Sequence, residues 1–221
     1  MVSISSAVEI IISRSRYLSE AISKGIINFS ALARYIQPEV EQLTKKTVSE
    51  ASLIMALNRL STTIRPNYKS TDIFTAPPNM TLKSNLSEIV VLNSQSLPKI
   101  LPTLLQLSDS QAKYFLTVTQ GVFETSIIIS NDIEEKACSI LDNEKITEKI
   151  NNLSSITIQL PESSIHSPGI LYSLLKSLAW EGINIVEIVS AHLEFTFVVN
   201  KKDVNKAFSI LESLFTNNVI D

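Results

Sequence analysis

The sequence predicts an α+β protein: a small all-helical N-terminal part, then two copies of a β-α-β-β-α unit. Three observations carry this. "ETSIIISNDIEEKACSIL" ends at Leu141 and "EFTFVVNKKDVNKAFSIL" at Leu211, and the stretches from Tyr114 and from Asn184 align without a gap at a spacing of 70 residues. Apolar residues follow a three-and-four spacing in the head and gather into dense β-branched runs further on. Between these regimes "PNYKSTDIFTAPPNMTLKSN", with three prolines and many Ser, Thr and Asn residues, reads as a linker over residues 66–84. The expected division is 1–65 helical, 66–84 linker, 85–153 first unit and 154–221 second unit.

In the head, Val8, Ile11, Ile12, Leu18 and Ile22 predict one helix from about Ser5 to Ser23, stopped by Gly25. Asn28 caps a second helix with Leu32, Ile36 and Val40 on one face, which Pro38 kinks or shortens. Thr47-Val48-Ser49-Glu50 reads as a capping box opening a third helix through Leu53, Ile54, Leu57 and Leu60.

After the linker, "SEIVVLN" reads as a strand and "SLPKILPTLLQL" as a helix capped by Ser96, with Pro102 awkwardly placed inside it. "KYFLTVTQ" and "ETSIIIS" are strands, and a helix starts from Asp132. "EKITEKIN", residues 144–151, is a candidate closing strand that one copy lends to the other. The series then repeats: strand "SSITIQL", a helix with Ser167 as N-cap, Pro168 at its first position and Gly182 at its end, strands "INIVEIVS" and "LEFTFVVN", and a helix capped by Asp203. Solenoid repeats are about 20–50 residues long and need three or more copies, so two copies of this length indicate duplicated small domains.

Composition excludes several function classes. With 44% hydrophobic and 19% charged residues, the 221-residue chain can bury a core, and no stretch approaches the roughly 18 apolar residues of a membrane span. Nothing near the start reads as an export signal, and the single cysteine, Cys138, fits a reducing, cytoplasmic interior. Cys138 aligns with Phe208 on a helix face that packs on the sheet, so it reads as structural, and Trp180 reads as core or rim packing. The two histidines, His166 and His192, have no metal-ligand spacing, and the four glycines are too dispersed for a phosphate loop, so neither catalytic nor metal-ligating residues are expected.

The stretch from Ile156 through the Pro168-Gly169-Ile170-Leu171 helix start, the Glu181-Gly182-Ile183-Asn184-Ile185 turn and "EFTFVV" to "KAFSIL" resembles an ACT domain, and most of all the tandem ACT pair at the end of aspartokinases. The resemblance is strong over about 154–215 and weaker over 86–153. It implies two ferredoxin-like βαββαβ domains packed as a pair, homodimerisation through their sheets, and an amino acid or similar small effector, with no other cofactor. It places that effector near Ser163 to Ile170 and Asn184 to Glu187. The implied ligand set is Glu162, His166, Ser167, Pro168, Gly169, Ile170, Asn184, Ile185 and Glu187, together with Gln120 of the first copy. A helix start independently suits a ligand carboxylate, and Glu162 or Glu187 is placed to face its ammonium group. His166 stands where the family often has Asp or Asn, and Leu97-Pro98 replaces Pro-Gly in the first copy, which leaves structural pairing without a ligand as the competing reading.

An aspartokinase carries its kinase domain ahead of the ACT pair, and the 65 or so helical residues are too few for that fold. The head is therefore the expected output. Residues 1–80 hold nine Lys/Arg against six Asp/Glu, while the rest hold ten against sixteen. "SALARYI" leading into "TVSEASLIMALNRL" loosely resembles a helix-turn-helix, in which Ser49, Glu50 and Ser52 face bases while Arg34, Lys45, Lys46 and Arg59 meet phosphates. Glu50 is awkward on such a surface. Three readings stay open for the head: transcription regulation, docking to a metabolic enzyme as its regulatory or scaffold subunit, and plain helical dimerisation.

Overall fold

A computed structural model describes residues 2–64, 77–108 and 114–216. The chain divides into two compact units, Met1–Tyr68 and Lys69–Asp221.

The first unit is built on α1 (Ile4–Arg14), α2 (Arg16–Ser23), α3 (Phe29–Thr44) and α4 (Glu50–Thr63). Its core includes Val8, Ile12, Leu18, Ile22, Leu32, Ile36, Val40, Leu53 and Leu57. The single helix expected over residues 5–23 is broken at Ser15, whose backbone is extended. Leu18 and Ile22 are buried in α2 beyond the break, alongside Ile11 and Ile12 of α1. Ser19 Oγ donates to the Ile12 carbonyl at 3.0 Å. Asn28 caps α3 as expected, accepting from the amides of Ser30 and Ala31, and Pro38 is accommodated inside it. The expected capping box of Thr47 and Glu50 does not form, and the helix is capped two residues later. Val48 is buried, its amide donating to Glu41 and its carbonyl accepting from Gln37. The cap of α4 is therefore Ser49, accepting from Ser52 N.

The second unit contains β1 (Met80–Leu92), α5 (Leu97–Leu105), β2 (Leu116–Gln120), β3 (Glu124–Ser130), α6 (Glu134–Ile140), β4 (Ile146–Gln159), α7 (Ile170–Trp180), β5 (Ile185–Ala191), β6 (Glu194–Asn200) and α8 (Val204–Thr216). The strands form one antiparallel sheet in the order β2-β3-β1-β4-β6-β5. The two central strands, 13 and 14 residues long, each serve both copies. The end of β1, from Glu88, pairs with the start of β4, and the start of β1, Met80–Lys83, pairs with Ser155–Ile158 at the end of β4. Residues 80–84, expected as linker, thus begin a strand, while 66–76 lie outside the described residues. "EKITEKIN" closes the first copy and runs on directly into the first strand of the second.

The repeat is legible in the backbone. Leu92 N–H donates to Lys145 O and Asn93 N–H to Phe123 O, and Gln159 N–H donates to Asn79 O and Leu160 N–H to Leu193 O. The first pair maps onto the second, so Lys145 corresponds to Asn79 and Glu144 to Pro78.

All four helices of this unit cover one face of the sheet. Ile89, Val91, Ile127 and Ile129 pack with Leu97, Leu104, Ala137 and Leu141, and Ile156, Ile158, Phe197 and Val199 pack with Leu174, Leu178, Ala207 and Leu211. The echoing KACSIL and KAFSIL are packing faces of α6 and α8. Alternation along the strands sends Leu86, Ile128, Leu153 and Val198 to the other face. Among the described residues of this unit no helix packs with them, and they are buried and cluster with Phe115, Ile150, Val186 and Val189. This cluster draws on β1, β3, β4, β5 and β6 and on Phe115 just before β2. Trp180, expected as packing, is instead 81% exposed at the end of α7.

Candidate functional site

The start of α7 differs from the sequence expectation. Residues Glu162–His166 form a 3-10 turn that ends at Ser167, whose hydroxyl donates to the Ser163 carbonyl at 2.8 Å. The N-cap is Gly169, at φ 95°, and no side chain caps the helix. Ser167 is therefore not the cap: it finishes the preceding turn, and the left-handed backbone at residue 169 suits glycine. Glu162, His166 and Pro168 are exposed, Ser167 and Gly169 partly so, and Ile170 is buried in the core. The far end of α7 follows expectation: Gly182 at φ 71° lets Ile183 N–H reach back to the Leu178 carbonyl.

The candidate residues fall into separate places. Ile185 pairs with Val199, at the level of Ser154, whereas the Ala191–Glu194 turn lies beside Gln159 and Leu160, where the chain leaves for α7. Asn184, Ile185 and Glu187 are thus at one end of α7 and Glu162 to Ile170 at the other, separated by about 16 Å of helix. Within one chain they do not meet. Glu187 Oε1 accepts from the amide of Ile188. Gln120 ends β2 in the first copy, opposite Thr125.

A groove of about 220 Å³ lies between the segment entering β1 and α8, lined by Pro77, Pro78, Met80, Phe208, Glu212 and Phe215 among others.

Three carboxylates in strong hydrogen bonds went unanticipated, since nothing in the local sequence marks them. Glu144 accepts from the hydroxyls of Ser94 and Ser96, both at 2.6 Å, and these bonds hold its carboxyl below its ordinary value. Burial pushes Glu134 upward, but Lys149 and Ser87 outweigh this and hold it below its ordinary value. Glu88 is only 4% exposed on the helix-free face. Burial pushes its carboxyl up, the hydroxyl of Ser126 at 2.5 Å pulls it back, and Glu187 and Glu148 push it up further.

In the helical unit, Arg34 bonds Glu50 at 3.0 Å, and the hydroxyls of Ser49 and Ser52 bond each other at 2.8 Å. Lys45 and Lys46 are exposed on the turn before α4. Arg59 is exposed too, about 14 Å along α4 from its start. Among the described residues there is no cluster of three or more His, Cys, Asp or Glu able to hold a metal ion, and no helix long and apolar enough to cross a membrane.

No family model matches this sequence, and no curated protein matches it. Solved structures do. One, described as aspartokinase alpha and beta subunits, matches with TM-score 0.51 and 17% identity over 64% of this chain and 99% of its own. Aspartate kinase from Clostridium acetobutylicum, described as an allosteric enzyme, matches with TM-score 0.54 and 20% identity over 63% of this chain, which spans only 34% of that longer protein. The ligand-free regulatory subunit of aspartate kinase from Thermus thermophilus matches with TM-score 0.50 and 13% identity over 62% of this chain and 97% of its own. Over nearly two thirds of its length, this chain is similar in fold to the regulatory ACT domains of aspartokinases.

Proposed function

We propose that this protein is a non-catalytic regulator in which two ferredoxin-like ACT units, sharing β1 and β4, sense an amino acid or a similar small effector, and the helical unit delivers the output. The observation that carries the reading is the start of α7, where the cap residue is Gly169, which has no side chain to accept from the amides of Ile170 and Leu171. Amides at the positive end of a helix suit a carboxylate. The likeness to aspartokinase regulatory domains supports the fold, and function by that likeness is analogy.

The separation of the two candidate clusters supports a homodimer. β5 is an edge strand. Two copies joined antiparallel through β5 would set Asn184, Ile185 and Glu187 of one beside the α7 start of the other, with Glu162, His166, Ser167, Pro168, Gly169 and Ile170. An isologous two-fold contact has this geometry by construction. The effector would then favour one of two dimer arrangements, as any ligand with unequal affinity for two states must.

For the output, the Arg34–Glu50 pair and the Ser49–Ser52 bond already engage the residues that a helix-turn-helix would turn to DNA. They favour a protein partner, such as a metabolic enzyme that this chain regulates, over an operator. Retention on immobilised DNA as a function of salt tests this with K45E/K46E/R59E. If the wild type binds with a steep salt dependence that the variant loses, the output is DNA; no retention of either protein at low salt supports the protein partner. Mass spectrometry of small molecules released from the purified protein tests the sensing claim, and an amino acid recovered in near-stoichiometric amount would support it.

A further inference from the structure

The two copies treat their first helix differently. In the first copy Leu97, the opening residue of α5, donates its amide to Ser94 Oγ at 3.0 Å. Ser94 Oγ in turn donates to Glu144 Oε2, and Ser96 Oγ donates to Oε1, each at 2.6 Å. Each oxygen of the carboxylate thus has a hydroxyl donor, and one of those hydroxyls relays an amide of the nine-residue helix. Hydroxyl-to-carboxylate bonds this short are among the stronger ones proteins make. An anion belongs at this place on electrostatic grounds, and the chain supplies it from the turn between α6 and β4.

The second copy lacks every part of this arrangement. The residue in the place of Glu144 is Pro78, which has no acceptor in its side chain. Where Ser94 stands, the chain has Pro161, followed by a 3-10 turn with no counterpart in the first copy. The helix beyond is capped by Gly169 and by no side chain.

We propose that Glu144 is a built-in occupant of the α5 start, an autoinhibitory contact that closes the first copy to free carboxylates and leaves the second copy as the ligand-taking one. The second half of this statement rests on the effector reading above. The first half does not. A depressed Glu144 carboxyl follows from the same two hydroxyl bonds and gives the contact a signature independent of any ligand.

The experiment is carboxyl-detected and amide NMR on the full chain. It compares the wild type, E144A and S94A/S96A, using each of the twenty standard L-amino acids at millimolar concentration as probe. In the wild type, Glu144 titrates below the ordinary glutamate value, and in S94A/S96A it returns toward that value. A probe that shifts the amides of Ile170 and Leu171 in the wild type leaves Leu97 and Lys99 unmoved, and in E144A it shifts both sets. The proposal is overturned if Glu144 titrates normally, if the probe moves Leu97 and Ile170 alike in the wild type, or if E144A leaves Leu97 unresponsive while Ile170 responds. If no probe moves either helix start in any variant, the effector reading fails, and the occupancy is decided by the Glu144 titration alone. S94A/S96A removes the contact without touching the carboxylate, so a poorly folded E144A does not block the test.

Discussion

Asn85 and Asn152 occupy matching places in the two central strands and share one unusual conformation, φ 58° and φ 59°. Leu86 and Leu153, the residues after them, face each other across the β1–β4 pair, next to register shifts in that ladder. Lys201 ties both places together: its Nζ donates to Asn85 Oδ1 at 3.2 Å and its amide to the Asn152 carbonyl at 2.7 Å. A left-handed residue costs most side chains about 1–2 kcal/mol, and asparagine and glycine tolerate it best. Replacing either asparagine by valine should therefore destabilise the protein by at least about 1 kcal/mol, with glycine nearly neutral. Urea denaturation of the four single variants checks this. Equal effects of valine and glycine would show that the conformation is not what matters.

Leu86 and Leu153 are fully buried on the helix-free face, which makes them core residues. Leu86→Ala and Leu153→Ala should each cost about 2–5 kcal/mol, as buried leucines do. On a flat sheet with that face open to water, the cost would be well under half as much. Denaturant midpoints at constant slope separate the two cases.

Glu88 makes stability depend on pH in a definite direction. Its folded value is raised, so its contribution is fully present below the unfolded glutamate value and is lost as pH rises through the raised one. Glu134, with a lowered folded value, contributes in the opposite sense: its share is present above the unfolded value and is lost as pH falls. The difference between wild type and E88Q isolates the first. E88Q should gain relative to wild type as pH climbs through the acid range toward neutral, and thermal melts across that range should show the gap widening. A constant gap would contradict the assignment.

Two caps provide an internal comparison. Asn28 accepts two amides of α3, and Asn28→Ala should cost about 1 kcal/mol. Ser167 caps no helix, so Ser167→Ala should stay within about 0.5 kcal/mol. Equal losses in the two melting curves would restore Ser167 to the role the sequence suggests.

The sequence made the repeat visible because its packing faces recur: Ala137 and Leu141 answer Ala207 and Leu211 at one spacing, and each is buried. Strand extent was less legible. Met80–Lys83 follow two prolines and are rich in polar residues, since only pairing with a distant strand makes them sheet. The break at Ser15 was not legible, because the apolar spacing of Ile11, Leu18 and Ile22 fits one continuous helix as well as two. The Pro-Gly start of α7 was legible as a helix start, but the cap moved from Ser167 to Gly169 when the preceding residues formed their own turn. Glu144, Ser94 and Ser96 could not be paired from sequence at all: they are about fifty residues apart and meet only through the fold.

The most direct test of the central claim is a thermal-shift screen of the full chain against the twenty standard amino acids at millimolar concentration. Ligand at a hundred times its dissociation constant stabilises the native state by about 2.7 kcal/mol. The account predicts that at least one amino acid raises the melting temperature in a saturable, concentration-dependent way. No displacement beyond experimental error with any of the twenty would contradict it.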